Sequence, residues 1–314
     1  MKTKGIILTM LSSITFGFAF TLGPMTYGLE GSNPVTLTFL RNFLSLPFLL
    51  IIILMLKIDL KVTKKQLKNL IILGFIGNAL TTLMLNMAFS YIDVGIVTPI
   101  HFTYPIFVTL GCVIFFHEKL SKQKIMALII AMSGIGCFFI TALTSASIGS
   151  STLLGLFLAI ASGVFYAFYI IFMDKSGLKG EPPFKITFYV AISSTIGMLL
   201  YGAITKQLVL SSLTTKAWTI SAIFAFLCTV VALSLLQVGI KNIGASEAAV
   251  ISTFEPITSV IFGAILLGEK ITLIKIVACI LIFAGVLTLS FAKEKVSSKK
   301  DKKSFIKYKE SESL

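Results

Sequence analysis

Residues 92–134 read IDVGIVTPIHFTYPIFVTLGCVIFFHEKLSKQKIMALIIAMSG, and residues 243–285 read IGASEAAVISTFEPITSVIFGAILLGEKITLIKIVACILIFAG. Laid over one another, 151 positions apart, the two stretches share a register. Pro105 meets Pro256, Glu118-Lys119 meets Glu269-Lys270, and Lys124-Ile125 meets Lys275-Ile276. Ala127, Ile129 and Gly134 meet Ala278, Ile280 and Gly285. A proline, an acid–base pair and a glycine in one register indicate an internal repeat. Further upstream, at a shift of 150, Gly5, Ser12 and Phe18 meet Gly155, Ser162 and Phe168.

The repeat sits in an apolar chain. Of 314 residues, 56% are hydrophobic and 13% charged, where a soluble domain carries roughly 25% charged residues. Apolar runs follow one another from near residue 5 to near residue 292, each about as long as a helix needs to cross a hydrocarbon core. They do not alternate as the strands of a membrane barrel would. In lipid every backbone polar group needs an internal partner, so helices are expected. The expected spans of the first half lie near 5–29, 34–56, 69–91, 94–116 and 123–143. Those of the second lie near 152–173, 184–204, 216–240, 245–267 and 272–292. This is an all-α integral membrane chain of ten spans in two five-helix repeats, residues 1–143 and 144–292. Residues 293–314 are rich in Lys, Ser and Glu and are expected to form a disordered basic cytoplasmic tail. Gly23-Pro24 is not a signal-peptide cleavage site, so the first apolar run is read as an uncleaved helix.

The net charge of +14 follows the loops. If the N-terminus is cytoplasmic, inside segments hold 22 of the 27 basic residues and outside segments hold four, with Arg41 inside a span. The positive-inside rule therefore expects both ends in the cytoplasm of a multi-pass cell-membrane protein. Each half then has an odd number of spans, so the halves are inverted, as in many secondary transporters. The basic residues contact membrane lipid, and no nucleic-acid surface is expected. Cys112, Cys137, Cys228 and Cys279 lie in apolar runs without CxxC or Cys/His spacing and read as small hydrophobes. No hydrolase elbow, P-loop or zinc-ligand spacing is present, so no enzyme, cofactor or metal is expected.

Ionisable groups at membrane depth need a reason. Glu255, near the middle of the ninth span, reads either as a substrate counter-charge or proton-binding carboxylate, or as a structural group between helices. His101, in the matching part of the fourth span, suits proton coupling or substrate hydrogen bonding, or is a satisfied interhelical histidine. Tyr104 stands where Glu255 stands in the other half. Pro105 and Pro256 each remove a helical hydrogen bond and free the carbonyls of His101 and Ser252, and Pro99 would do the same at Gly95. That favours a cavity-lining helix, with a packing kink as the alternative. Arg41 binds an anionic substrate group, or snorkels, or pairs with an acid such as Glu30. Glu247 reads as an N-terminal helix charge. Thr9, Ser13 and Gly17 align with Ala159, Gly163 and Ala167 as stripes of small residues for close helix approach, flanked by Phe16, Phe20, Tyr166 and Tyr169.

Pro256, Gly268-Glu269 and Gly285, with the first-half copy Pro105, His117-Glu118 and Gly134, resemble the EamA-type transporters of the drug/metabolite transporter superfamily. Arg41 resembles that family's usual arginine. The likeness covers about residues 5 to 292, with His117 departing from Gly268 at a loop. It implies a basket of ten helices with a cavity between the first, third, fourth, sixth, eighth and ninth spans. Alternating access and transport of amino acids or other small metabolites are implied with it. On that mapping Glu255, His101, Tyr104, Tyr166, Asn78 and Gln237 face the cavity, and the fifth and tenth spans pack peripherally in a monomer or homodimer. A membrane-embedded lipid-processing enzyme and a channel are the alternatives.

Overall fold

The computed structural model describes residues 2–92, 94–143, 150–267 and 271–290. The expected tail at 293–314 and the Gly268-Glu269 pair lie outside them. Among the described residues the regular structure is helical, with one isolated bridge between Tyr27 and Ser32. We label the helices α1 Lys2–Leu22, α2 Pro34–Met55, α3 Lys64–Ala88, α4 Val94–His101, α5 Tyr104–Phe116 and α6 Lys122–Leu143. The second half has α7 Ser150–Lys175, α8 Pro183–Thr205, α9 Thr215–Ile243, α10 Ala245–Ser252, α11 Glu255–Leu267 and α12 Leu273–Ser290. Seven helical rods, namely α1, α2, α3, α7, α8, α9 and the α10–α11 pair, are long and apolar enough to cross a membrane. Large apolar side chains face outward, with Leu54 67%, Phe115 75% and Ile204 82% exposed. Such a surface suits lipid contact.

Local chemistry sets the helix ends. Thr63 caps α3 in a reciprocal box with Gln66, which starts this helix five residues before the expected position. Thr214, the repeat partner of Thr63, caps α9 through the Ala217 amide. Asn33 caps α2 ahead of Pro34. The first helix ends at Leu22 rather than near 29, because Gly23-Pro24 passes into short 3-10 turns at Gly23–Thr26 and Gly28–Glu30. Pro105 and Pro256 each stand second in a continuing helix, and each rod breaks over the two residues just before it, 102–103 and 253–254, leaving α4 and α5, and α10 and α11, as half-helices. The breaks are closed alike, by Thr103 N to Ile100 O at 3.1 Å and by Thr253 N to Val250 O at 3.2 Å. Within α3 and α9 the backbone widens to π-helix at Leu73–Leu80 and Phe226–Ala232, a feature absent from the sequence expectations.

The halves exchange their first helices. α1 packs on α9, α10 and α11, whereas α7 packs on α3, α4 and α5. α6 and α12 cross each other at the repeat-related glycines. A Cβ on Gly134 would lie 2.7 Å from Ala278 O, and one on Gly285 would lie 2.8 Å from Ala127 O. Ala127 and Ala278 are themselves 151 positions apart, so one contact is made twice by matching residues. The two-repeat architecture fits this packing. It departs from strict symmetry at the short helices. α10 packs on α5 and α7, while its counterpart α4 makes no comparable contact with α11 or α1 among the described residues.

Candidate functional site

A cavity at mid-depth is lined by Phe16, Phe20, Arg41, Gly77, Asn78, Thr81, Thr82, Leu85, His101, Tyr166, Tyr169, Leu233 and Glu255. Both halves contribute to it. Its atom-free space is about 410 Å³ with the mouth included, and it is narrow enough that only water-sized molecules fit without side-chain movement. The α1, α2 and α3 residues lining it sit in the half of each helix toward the α1–α2 connection, so it extends from the centre toward that face.

Glu255 is the first residue of the half-helix α11 and is buried at 3% exposure. A carboxylate at a helix N-terminus meets the positive end of the helix dipole. Its carboxyl has no ion-pair or hydrogen-bond partner among the described residues and faces the cavity. Gly17 lets α1 lie against this turn, since a Cβ there would come within 2.9 Å of Glu255 O. Across the cavity Arg41, 4% exposed, donates from Nη1 to Thr82 Oγ1 at 3.1 Å and from Nε to Thr229 Oγ1 at 3.4 Å. Its guanidinium lies 6.0 Å from the Phe16 ring and 5.9 Å from each of the Phe20 and Phe224 rings, a cation–π cradle. No ion pair joins Arg41 to an acid among the described residues. The expected partner Glu30 is instead taken by Lys216 at 2.8 Å and by the Thr214 hydroxyl, because α2 carries Arg41 inward, away from the loop that holds Glu30.

His101 closes α4, with Nδ1 2.9 Å from Ser162 Oγ. The Ser162 hydroxyl donates to Ala159 O at 2.6 Å, so it accepts from His101 Nδ1, and Nε2 of the neutral ring keeps its lone pair. The His101 ring stands 5.5 Å from Tyr166 and 5.6 Å from Tyr104. Tyr104 is fully buried behind Tyr166, edge to face at 4.7 Å, rather than on the cavity wall. Gln237 is also one layer back. It donates to Tyr169 Oη at 2.9 Å and accepts from Thr187 at 3.3 Å, and it fixes the Tyr169 ring that does line the cavity. Asn78 lines the cavity from the π-helical part of α3 and donates to Asn42 Oδ1 and Ser194 Oγ, both at 2.9 Å. Thr82 and Thr229, which seat Arg41, were missed in the sequence. Their one signal is a hydroxyl at mid-span, which many structural threonines share.

The sequence profile of the EamA-like transporter family matches this chain twice, over residues 3–141 and 153–291. The chain belongs to that family. An uncharacterized transporter of Synechocystis sp. is 29% identical over 69% of this chain and 65% of its own length. The uncharacterized transporter YoaV of Bacillus subtilis is 23% identical over 92% of this chain and 99% of its own. A protein of known crystal structure superposes with a TM-score of 0.79 at 13% identity, over 95% of this chain and all of that one, which is a likeness of fold. This EamA-type protein is thus a multi-pass membrane transporter. Its cavity lies between the exchanged first helices and the broken rods.

Proposed function

We propose that this EamA-type protein is a secondary transporter with ten membrane crossings in two inverted repeats and both ends cytoplasmic. It moves small zwitterionic metabolites, amino acids among them, by alternating access. The observation that supports the reading is the pair Arg41 and Glu255. They are opposite charges, both buried, on one cavity and not paired with each other. Each carries a desolvation cost that no ion pair offsets among the described residues, and a ligand of matching charges relieves it. Arg41 takes the ligand carboxylate, Glu255 the ammonium group, and Tyr166, Tyr169 and Phe20 bound its apolar part. His101 Nε2 and Asn78 supply further polar contacts. The narrow cavity requires side-chain movement on binding, which couples occupancy to conformation.

The test is flux into proteoliposomes from a labelled metabolite panel. Saturable, exchangeable flux of zwitterions, with deamino and decarboxylated analogues transported poorly, is expected. Glu255→Gln removes a charge-assisted contact and is expected to lower transport efficiency about 10- to 100-fold while relaxing discrimination against the deamino analogue. Ohmic current, or equal handling of all three analogue classes, would overturn the reading.

A further inference from the structure

Four charged side chains meet where α1, α6, α10 and the α5–α6 loop come together, at the face holding the N-terminus of α1. Lys124 Nζ lies 3.1 Å from Glu118 Oε1 and 3.3 Å from Glu247 Oε1, and Lys2 Nζ lies 3.8 Å from Glu247 Oε2. Glu247 stands in the first turn of α10, where a helix N-terminus also favours a carboxylate. Behind it, Ser246 lies beside Cys112 of α5, and Cys112 is fully buried. Ala245, Ala248 and Ala249 of the same short helix are buried too, so α10 is seated closely on its neighbours. The seat breaks the symmetry of the halves, since α4 has no comparable seat against α11 or α1 among the described residues. The sequence breaks it at the same place. The residue 151 positions before Glu247 is Ile96, which offers no carboxylate.

We propose that Glu247, held by Lys124 and Lys2, is an ion-pair lock that keeps α10 seated on α5 and seals the transport path at this face. The lock ties a half-helix of the second repeat to α1 and α6 of the first. Opening the path here requires α10 to part from α5, and the ion pairs oppose that movement. Because the four side chains keep 15–25% of their exposure, salt screens them. The proposal rests on the alternating-access reading, but its test reads the exposure of one thiol and not flux, so either can fail alone.

The parent for the test is the chain with Cys137, Cys228 and Cys279 replaced by alanine, which leaves Cys112 as the reporter. In lipid nanodiscs both faces meet a hydrophilic methanethiosulfonate reagent. Glu247→Gln is expected to speed Cys112 labelling about 5- to 10-fold, the lower end of ordinary coupling energies. Lys124→Gln, which leaves Lys2 on Glu247, gives part of that increase, and adding it to Glu247→Gln goes no further than Glu247→Gln alone. Lys122→Gln, which removes an exposed cation at the start of α6 that makes none of these ion pairs, leaves the rate within about twofold of the parent. Raising salt to 1 M speeds labelling of the parent toward the Glu247→Gln rate. An unchanged rate in Glu247→Gln, multiplying effects of the two substitutions, or a salt-insensitive parent with its charges intact would each overturn the lock.

Discussion

Arg41 has five N–H donors, and two of its contacts are threonine hydroxyls that a single methyl would abolish. The three phenyl rings around it hold the guanidinium plane without neutralising it, which leaves the charge available to a ligand. Arg41→Lys keeps the charge but not the planar fork, so ligand binding is expected to weaken about tenfold, read as a reduced thermal shift with a transported zwitterion. Glu30 shows the opposite situation at the surface. The Lys216 and Thr214 hydrogen bonds hold its carboxyl below the usual glutamate range. A depressed folded-state value means the bonds contribute above the unfolded pKa and are lost as pH falls through the folded one. Hydrogen exchange at residues 27–33 is therefore expected to quicken below about pH 4, the ordinary range of a free glutamate, and to lose that step in Glu30→Gln. The sequence marked Glu255 and Arg41 because charge at membrane depth is rare enough to be informative. It did not reveal that Tyr104 and Gln237 stand one layer behind the cavity wall, since that depends on how each helix is rotated against its neighbours.

At the scale of the element, the breaks were predictable and the widenings were not. A proline removes a donor by its covalent structure, so Pro105 and Pro256 announce their kinks in the sequence. The π-helical stretches Leu73–Leu80 and Phe226–Ala232 carry no such residue and arise from packing against α7 and α8 on one side and α1 and α2 on the other. Pro256→Ala lets the tenth and eleventh helices fuse. That moves Glu255 off its helix N-terminus and is expected to reduce transport several-fold while the protein stays monodisperse on size exclusion. The α6–α12 crossing makes a different prediction. Leucine at Gly134 or Gly285 must displace backbone atoms now within 3 Å, and overpacking of this kind costs about 1–3 kcal/mol. The melting temperature of the purified protein should fall for either substitution. Serine, which is smaller, should be milder.

For the whole molecule, the 151-residue repeat and the long apolar runs made the helical, two-repeat architecture legible, because covalent periodicity and hydropathy are written in one dimension. The exchange of α1 and α7 between halves was not legible, since the small-residue stripes Thr9-Ser13-Gly17 and Ala159-Gly163-Ala167 show that each helix is closely packed and not against which partner. That exchange has a consequence for biogenesis. While the first repeat is leaving the ribosome, α1 lacks α9 to α11, and α3 to α5 lack α7. The nascent half therefore holds its Arg41 and its small-residue grooves without their final neighbours until residue 175 and beyond have been made. A chain truncated after the first repeat keeps both vacancies open, and two such fragments can fill them only by trading α1 for the missing α7, so chaperone retention or mutual pairing of half-chains is the expected fate of an interrupted synthesis.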